Sequence, residues 1–101
     1  LSISLLQTRS RTHGSYPSTA KLSQALKDTM KSGTNWISLS DEQAEALEMI
    51  AVKIARILSG DPEYPDHWDD VIGYAKLGRP ETEAQGALDL TDKFNNLRNQ
   101  P

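Results

Sequence analysis

The chain has 101 residues, a formal charge of −3 and no cysteine, with 37% hydrophobic and 25% charged residues. That is the size of one domain, and no run approaches the roughly 18 apolar residues that cross a bilayer. The missing thiols exclude disulfides, zinc–thiolate sites, iron–sulfur clusters and Cys nucleophiles, and the acidic balance argues against a generic grip on nucleic acid, which needs clustered Lys and Arg.

Almost every apolar segment reads at helical spacing, so an all-α bundle of four to five short helices is expected. Leu1, Ile3, Leu5 and Leu6 mark a short first helix to about Arg9, or an extended arm. Thr12-His13-Gly14-Ser15-Tyr16-Pro17 breaks it: Gly14 accepts a left-handed turn, and Pro17 biases Tyr16 to extended values. A second helix is expected over 18–31, with the stripe Leu22, Ala25, Leu26, Thr29 and Met30. Gly33 then lies near its C-cap.

The third helix is the best marked. Ser40 followed by Gln43 is a capping-box spacing, and Asp41 and Glu42 sit where the helix dipole favours acids. The pattern runs to about Leu58 and stops at Ser59-Gly60-Asp61-Pro62. Ala46, Leu47, Ile50, Ala51, Ile54, Ile57 and Leu58 share one broad face. Met49 and Val52 form a second apolar strip, so the opposite side is not simply facing water. Pro65 opens a fourth helix to about Leu77, with Trp68, Val71, Ile72 and Ala75 on one face and Trp68 expected in the core. Residues 1–80 form the expected helical core domain. Residues 81–101 form a tail whose Ala87, Leu90, Phe94 and Leu97 suit a final helix packed on the core or on a partner.

The acids of the third and fourth helices are the main candidates for chemistry. Glu45 and Glu48 lie one helical turn apart, as do Asp66 and Asp70. Antiparallel packing would let the four converge, and Mg²⁺ takes oxygen ligands while keeping several waters. Such an ion would neutralise phosphates and activate a water. The plain alternative is a solvated face and a dipole-stabilised helix start. Lys53 and Arg56 suit phosphate or ion pairs, and Arg9 and Arg11 have the same two readings. His13 and His67 are the two histidines, candidates for a ligand, an acid/base group or a backbone hydrogen bond. Tyr74 is read either as a half-buried ring or as a platform for a base. No glycine-rich phosphate loop, nucleophile elbow or zinc-protease motif is present.

Three segments carry a resemblance: Arg11-Thr12-His13-Gly14-Ser15-Tyr16, the run from Glu45 to Pro62, and Asp66-His67-Trp68-Asp69-Asp70-Val71-Ile72-Gly73-Tyr74-Ala75-Lys76-Leu77. Their order and spacing resemble a phage and prophage family known only as a domain of unknown function. Ser15 stands where that family usually has Asp, and Val52 where His is common. More distantly, Lys53-x-x-Arg56 followed by Asp66, Asp70, Val71 and Tyr74 is similar to nucleotide-modification-associated domains and to MazG-like all-α NTP pyrophosphatases. Those enzymes hold Mg²⁺ with an E-x-x-E pair and a later acidic pair. Glu45-x-x-Glu48 matches the first. Asp70 matches the end of the second, with His67 in the other acid's place and Asp66 beside it.

The resemblance implies a small phage accessory protein, in the cytoplasm of the bacterial host. It implies binding or hydrolysis of a nucleotide, with Mg²⁺ on Glu45, Glu48, Asp66 and Asp70 and phosphate on Lys53 and Arg56. A homo-oligomer fits the thin core of a chain this size. The competing expectation is a non-catalytic protein that binds and modulates a host protein, a defence component for example, through its acidic helical faces. No membrane partner is expected.

Overall fold

The computed structural model describes residues 5–81, which form four α-helices and one short 3₁₀ turn: α1 (Leu5–His13), α2 (Tyr16–Lys31), the turn Trp36–Ser38, α3 (Asp41–Ser59) and α4 (Pro65–Gly78). No strand occurs among the described residues, and no helix there is long and apolar enough to cross a membrane. Leu1, Ile3 and the expected tail helix lie outside the described residues.

The helix boundaries follow local chemistry. α1 continues past Arg9 to His13. Gly14 ends it with φ +80, and its N–H closes the last turn on the Ser10 carbonyl at 3.0 Å. A left-handed residue after the last turn is the usual helix stop, and glycine takes it without a Cβ penalty. α2 starts at Tyr16 instead of Ser18. Ser15 is its N-cap, accepting from the Ser18 N–H at 3.4 Å. Pro17 falls in the first turn, where its missing N–H costs nothing, and that outweighs its bias on Tyr16. The capping box of α3 forms as expected, with Gln43 N–H to Ser40 Oγ and Ser40 N–H to Gln43 Oε1 both at 3.1 Å.

α3 is the central element, with α4 on one side and α2 on the other. α3 and α4 run antiparallel: Gln43, Ala46, Leu47 and Ile50 lie against Tyr74, Ala75 and Gly78, and Lys53 reaches Asp70. The second apolar strip of α3 has its explanation in α2, because Met49 and Val52 are part-buried and Val52 shares a cleft with Thr19, Ala20 and Ser23.

The buried residues match the expected α3 face in part: Ala46, Ala51 and Ile57 belong to it, Ala55 does not. Ala46, Ala51, Ala55 and Ile57 are the buried apolar residues, joined by Thr19, Ser23, Lys53 and His67. Leu47, Ile54 and Leu58 are exposed, and so is Trp68, at 52%. The physical reason is close approach. Small side chains on α3 and hydroxyls on α2 let the helices meet along narrow strips, which leaves large residues at the flanks. On α4 the orientation is set by polar groups: His67 and Asp70 face α3 and its end, which turns Trp68 outward. Its indole N–H then donates to the Pro62 carbonyl at 2.8 Å.

Candidate functional site

The three segments that carry the sequence resemblance meet at the ends of α1 and α3 and the start of α4. Their meeting point is the Thr12 carbonyl, which accepts the Asp61 N–H at 3.1 Å and His67 Nε2–H at 2.9 Å. A carbonyl only accepts, so that ring nitrogen carries a hydrogen. Gly14 and Gly60 make the approach possible. A Cβ on Gly60 would fall on the Thr12 carbonyl and within 2.6 Å of the Gly14 nitrogen, and one on Gly14 would fall on Ser59.

Around this joint sits an aromatic and polar cluster. His67 is 1% exposed. Its ring lies edge-on to His13 at 4.5 Å and to Tyr64 at 4.9 Å between centroids. The Thr19 hydroxyl donates to the His13 carbonyl at 3.0 Å, tying α2 to the end of α1. The Thr12 hydroxyl reaches both the Arg9 carbonyl at 3.3 Å and His13 Nδ1. Burial, His67 and the cations Arg9, Arg56 and Lys53 hold the His13 imidazole below its usual value of 6.5. A hydrogen bond with Asp66 and the Asp66 charge raise the Tyr64 phenol above its usual range.

One side of the cluster opens into a cleft of about 590 Å³ between α1, α2 and α3. Arg9 and His13 enter it from α1, Lys27 from α2 and Arg56 from α3, with Thr19, Ser23 and Tyr16 also in its wall. No carboxylate lines it, and among the described residues none of Arg9, Lys27 and Arg56 is in an ion pair. Ser23 is 5% exposed. The first turn of α2, with the positive end of its dipole, borders the same space. The volume lies in the range of small-molecule sites, roughly 300–1,000 Å³.

The sequence-derived residues divide between places. Arg56 and His13 line the cleft, and His67 stands behind His13. Lys53 does not line it: its ammonium is 2.7 Å from Asp70. The hydrogen bond from Lys53 holds the Asp70 carboxyl below its usual range. Glu48 pairs with Lys31 of α2 at 3.5 Å. Asp66 sits by Tyr64. Glu45 is exposed and borders a shallow apolar depression with Tyr74 and Leu77, at the far end of α3. Tyr74 thus faces this depression, about two helical turns along α4 from His67.

A Mg²⁺ ion on Glu45, Glu48, Asp66 and Asp70 does not fit this arrangement. No group of three or more metal-ligating side chains is gathered among the described residues, and two of the four acids already face lysines. The cause is the packing of α3 between two helices: Glu48 turns to α2 and Glu45 toward the end of α4.

Thr12, Ser23, Lys27 and Tyr64 escaped the sequence reading. A signal for two of them exists. Thr19, Ser23 and Lys27 follow at i, i+4 and i+8, a polar stripe that marks one side of α2. Thr12 acts through its backbone carbonyl, which no residue pattern announces. Comparison with known proteins finds no matching family model, no matching curated protein and no matching solved structure.

Proposed function

We propose that the chain binds a small phosphate-bearing ligand of the nucleotide class in the cleft between α1, α2 and α3, using its own cations as counter-charge. The observation that carries this is the cleft wall: Arg9, Lys27, Arg56 and His13 together, with no carboxylate among them. Arginine presents a planar fork that matches phosphate oxygens. The Ser23 hydroxyl in the same wall offers a further donor, and Tyr16, an exposed aromatic in the wall, offers a face to a base. The resemblance to nucleotide-handling domains points the same way. With no acidic site gathered among the described residues, the reading is binding without metal-assisted turnover.

Calorimetric titration with ATP, dATP and AMP, each with EDTA and then with Mg²⁺, tests it. Binding in EDTA is expected, weakened about tenfold by Arg56→Ala or Arg9→Ala, since a hydrogen bond to a charged group contributes about 1.5–3 kcal/mol. Absence of binding heat, together with no rise in melting temperature for any nucleotide, would refute it. Strict dependence on Mg²⁺ with loss in Glu45→Gln or Asp70→Asn would restore the metal-based reading.

A second reading, contact with a partner protein, draws on the exposed apolar residues Leu58, Trp68, Ile72 and Leu77. A stoichiometric partner recovered from host lysate by the wild type, and lost by Trp68→Ser with Ile72→Ser, would favour it.

A further inference from the structure

We propose that the cleft takes up a proton when an anionic ligand enters it, and that His13 is the residue that holds it. The inference rests on the reading of this cleft as a phosphate site and adds its regulation by pH.

The geometry around His13 is that of a group kept neutral until an anion arrives. Arg9 faces it from α1, Lys53 and Arg56 from α3, His67 from α4, and Tyr64 from the α3–α4 connection. From α2, the Thr19 hydroxyl bonds its carbonyl, while Tyr16 and Lys27 share the cleft wall. Acids of this joint are engaged with other groups: Asp70 with Lys53, Asp66 with Tyr64 and Asp61 with the Glu63 N–H. A further positive charge at His13 is therefore opposed by its surroundings. A phosphate seated between Arg9 and Arg56 reverses the sign of that field, because an opposite charge within a few ångströms favours the charged form.

The local hydrogen bonds accommodate the added proton. The Thr12 hydroxyl can donate to the Arg9 carbonyl while accepting from His13 Nδ1–H. That tautomer leaves Nε2 as the nitrogen that gains the proton. The net step is anion plus one solvent proton going to a complex that holds both. By linkage, affinity rises as pH falls from the bound-state value of His13 toward its free-state value, by at most about tenfold per pH unit. Above the bound-state value the dependence disappears. The free-state value lies below 6.5, so the lower edge of the working window lies below that value as well.

The first test is an NMR titration of the histidine ring protons of the whole chain, with and without sodium sulfate at constant ionic strength. Sulfate keeps its charge across this range, so movement of the titration belongs to the protein. The His13 midpoint is expected to rise by about half a unit or more. Calorimetry with ATP in two buffers of different ionisation heat then counts protons. Because the ATP γ-phosphate also titrates, the reading is the difference between wild type and His13→Gln. The variant is expected to lose the uptake, and its affinity to stop rising on acidification. A His13 midpoint unmoved by sulfate, or an uptake equal in wild type and variant, overturns the proposal. If His13→Gln does not fold, the wild-type titration decides alone. Binding without uptake sinks this inference only, whereas no binding of either anion sinks it together with the phosphate reading.

Discussion

At the scale of single residues, two glycines and one carbonyl do the joining. Gly60 has no room for a methyl group against Thr12 and Gly14, and both obstacles are backbone, which cannot step aside as a flexible side chain would. Gly60→Ala is expected to destabilise the chain by about 2–3 kcal/mol, the upper part of the usual cost of forcing extra volume into a packed site. Urea unfolding followed by circular dichroism measures it, and a loss below about 0.5 kcal/mol would show that the α1–α3 joint relaxes freely. The Lys53–Asp70 pair makes a pH prediction. Asp70 has its folded-state pKa below the ordinary value of 3.8. Its contribution to stability is therefore present above that ordinary value and is lost as pH falls through the folded-state value. Asp70→Asn should lower stability at neutral pH and flatten the acid side of the stability–pH curve. An unchanged acid limb would mean that the unfolded chain keeps the same pair.

At the scale of elements, the helices owe their ends to local signals and their faces to neighbours. Ser40→Ala removes one half of the α3 capping box and is expected to cost about 1 kcal/mol, read from the midpoint of a urea melt. α1 is the contrasting case. It has nine residues and none buried, and isolated helices shorter than about 12 residues are marginal in water. Its anchorage is the joint at Thr12, His13 and Gly14. Amide exchange in α1 should therefore be faster than in α3, and equal protection in the two would contradict this account. The existence and order of α2, α3 and α4 were legible from apolar spacing, capping residues and Gly/Pro stops, whereas the first segment read equally as a short helix or an extended arm. The buried strip of α3 was legible in part. Apolar periodicity pointed correctly to Ala46, Ala51 and Ile57, but also to Leu47, Ile54 and Leu58, which are exposed, and it left out Ala55 and Lys53, which are buried. Periodicity says which side is apolar, but not how closely a neighbour approaches, and here small side chains admit the neighbour.

At the scale of the whole molecule, the net charge of −3 conceals an uneven distribution. Among the described residues, Glu48 and Asp70 lie on lysines, Asp66 by Tyr64, and Asp41 and Glu42 at the start of α3. The cations Arg9, Lys27 and Arg56 gather with His13 around one cleft. A phosphate ligand bound there should stabilise the fold by mass action, by about 2.7 kcal/mol at a hundredfold excess over its Kd. That gain should shrink as sodium chloride is raised, because partly exposed cations are screened over about 10 Å at 0.1 M salt. A nucleotide-induced shift in melting temperature that salt leaves unchanged would place the ligand away from these cations.

Arg56 and His13 were recognisable as candidates because their residue types suit phosphate and proton chemistry wherever they stand. The proposed grouping of Glu45, Glu48, Asp66 and Asp70 followed from spacing along two helices, and spacing is a one-dimensional quantity. It puts two carboxylates on one turn but does not set the rotation of that turn about its axis. That rotation comes from contacts between elements: Glu48 with Lys31, Lys53 with Asp70, His67 with the Thr12 carbonyl. By itself the amino-acid sequence determined an all-α chain with α2 to α4 well delimited, since capping, propensity and apolar period act within a few residues. Only the tertiary structure decided which charges share a cleft. Their proximity depends on residues more than forty positions apart, brought together by two glycines and a backbone oxygen.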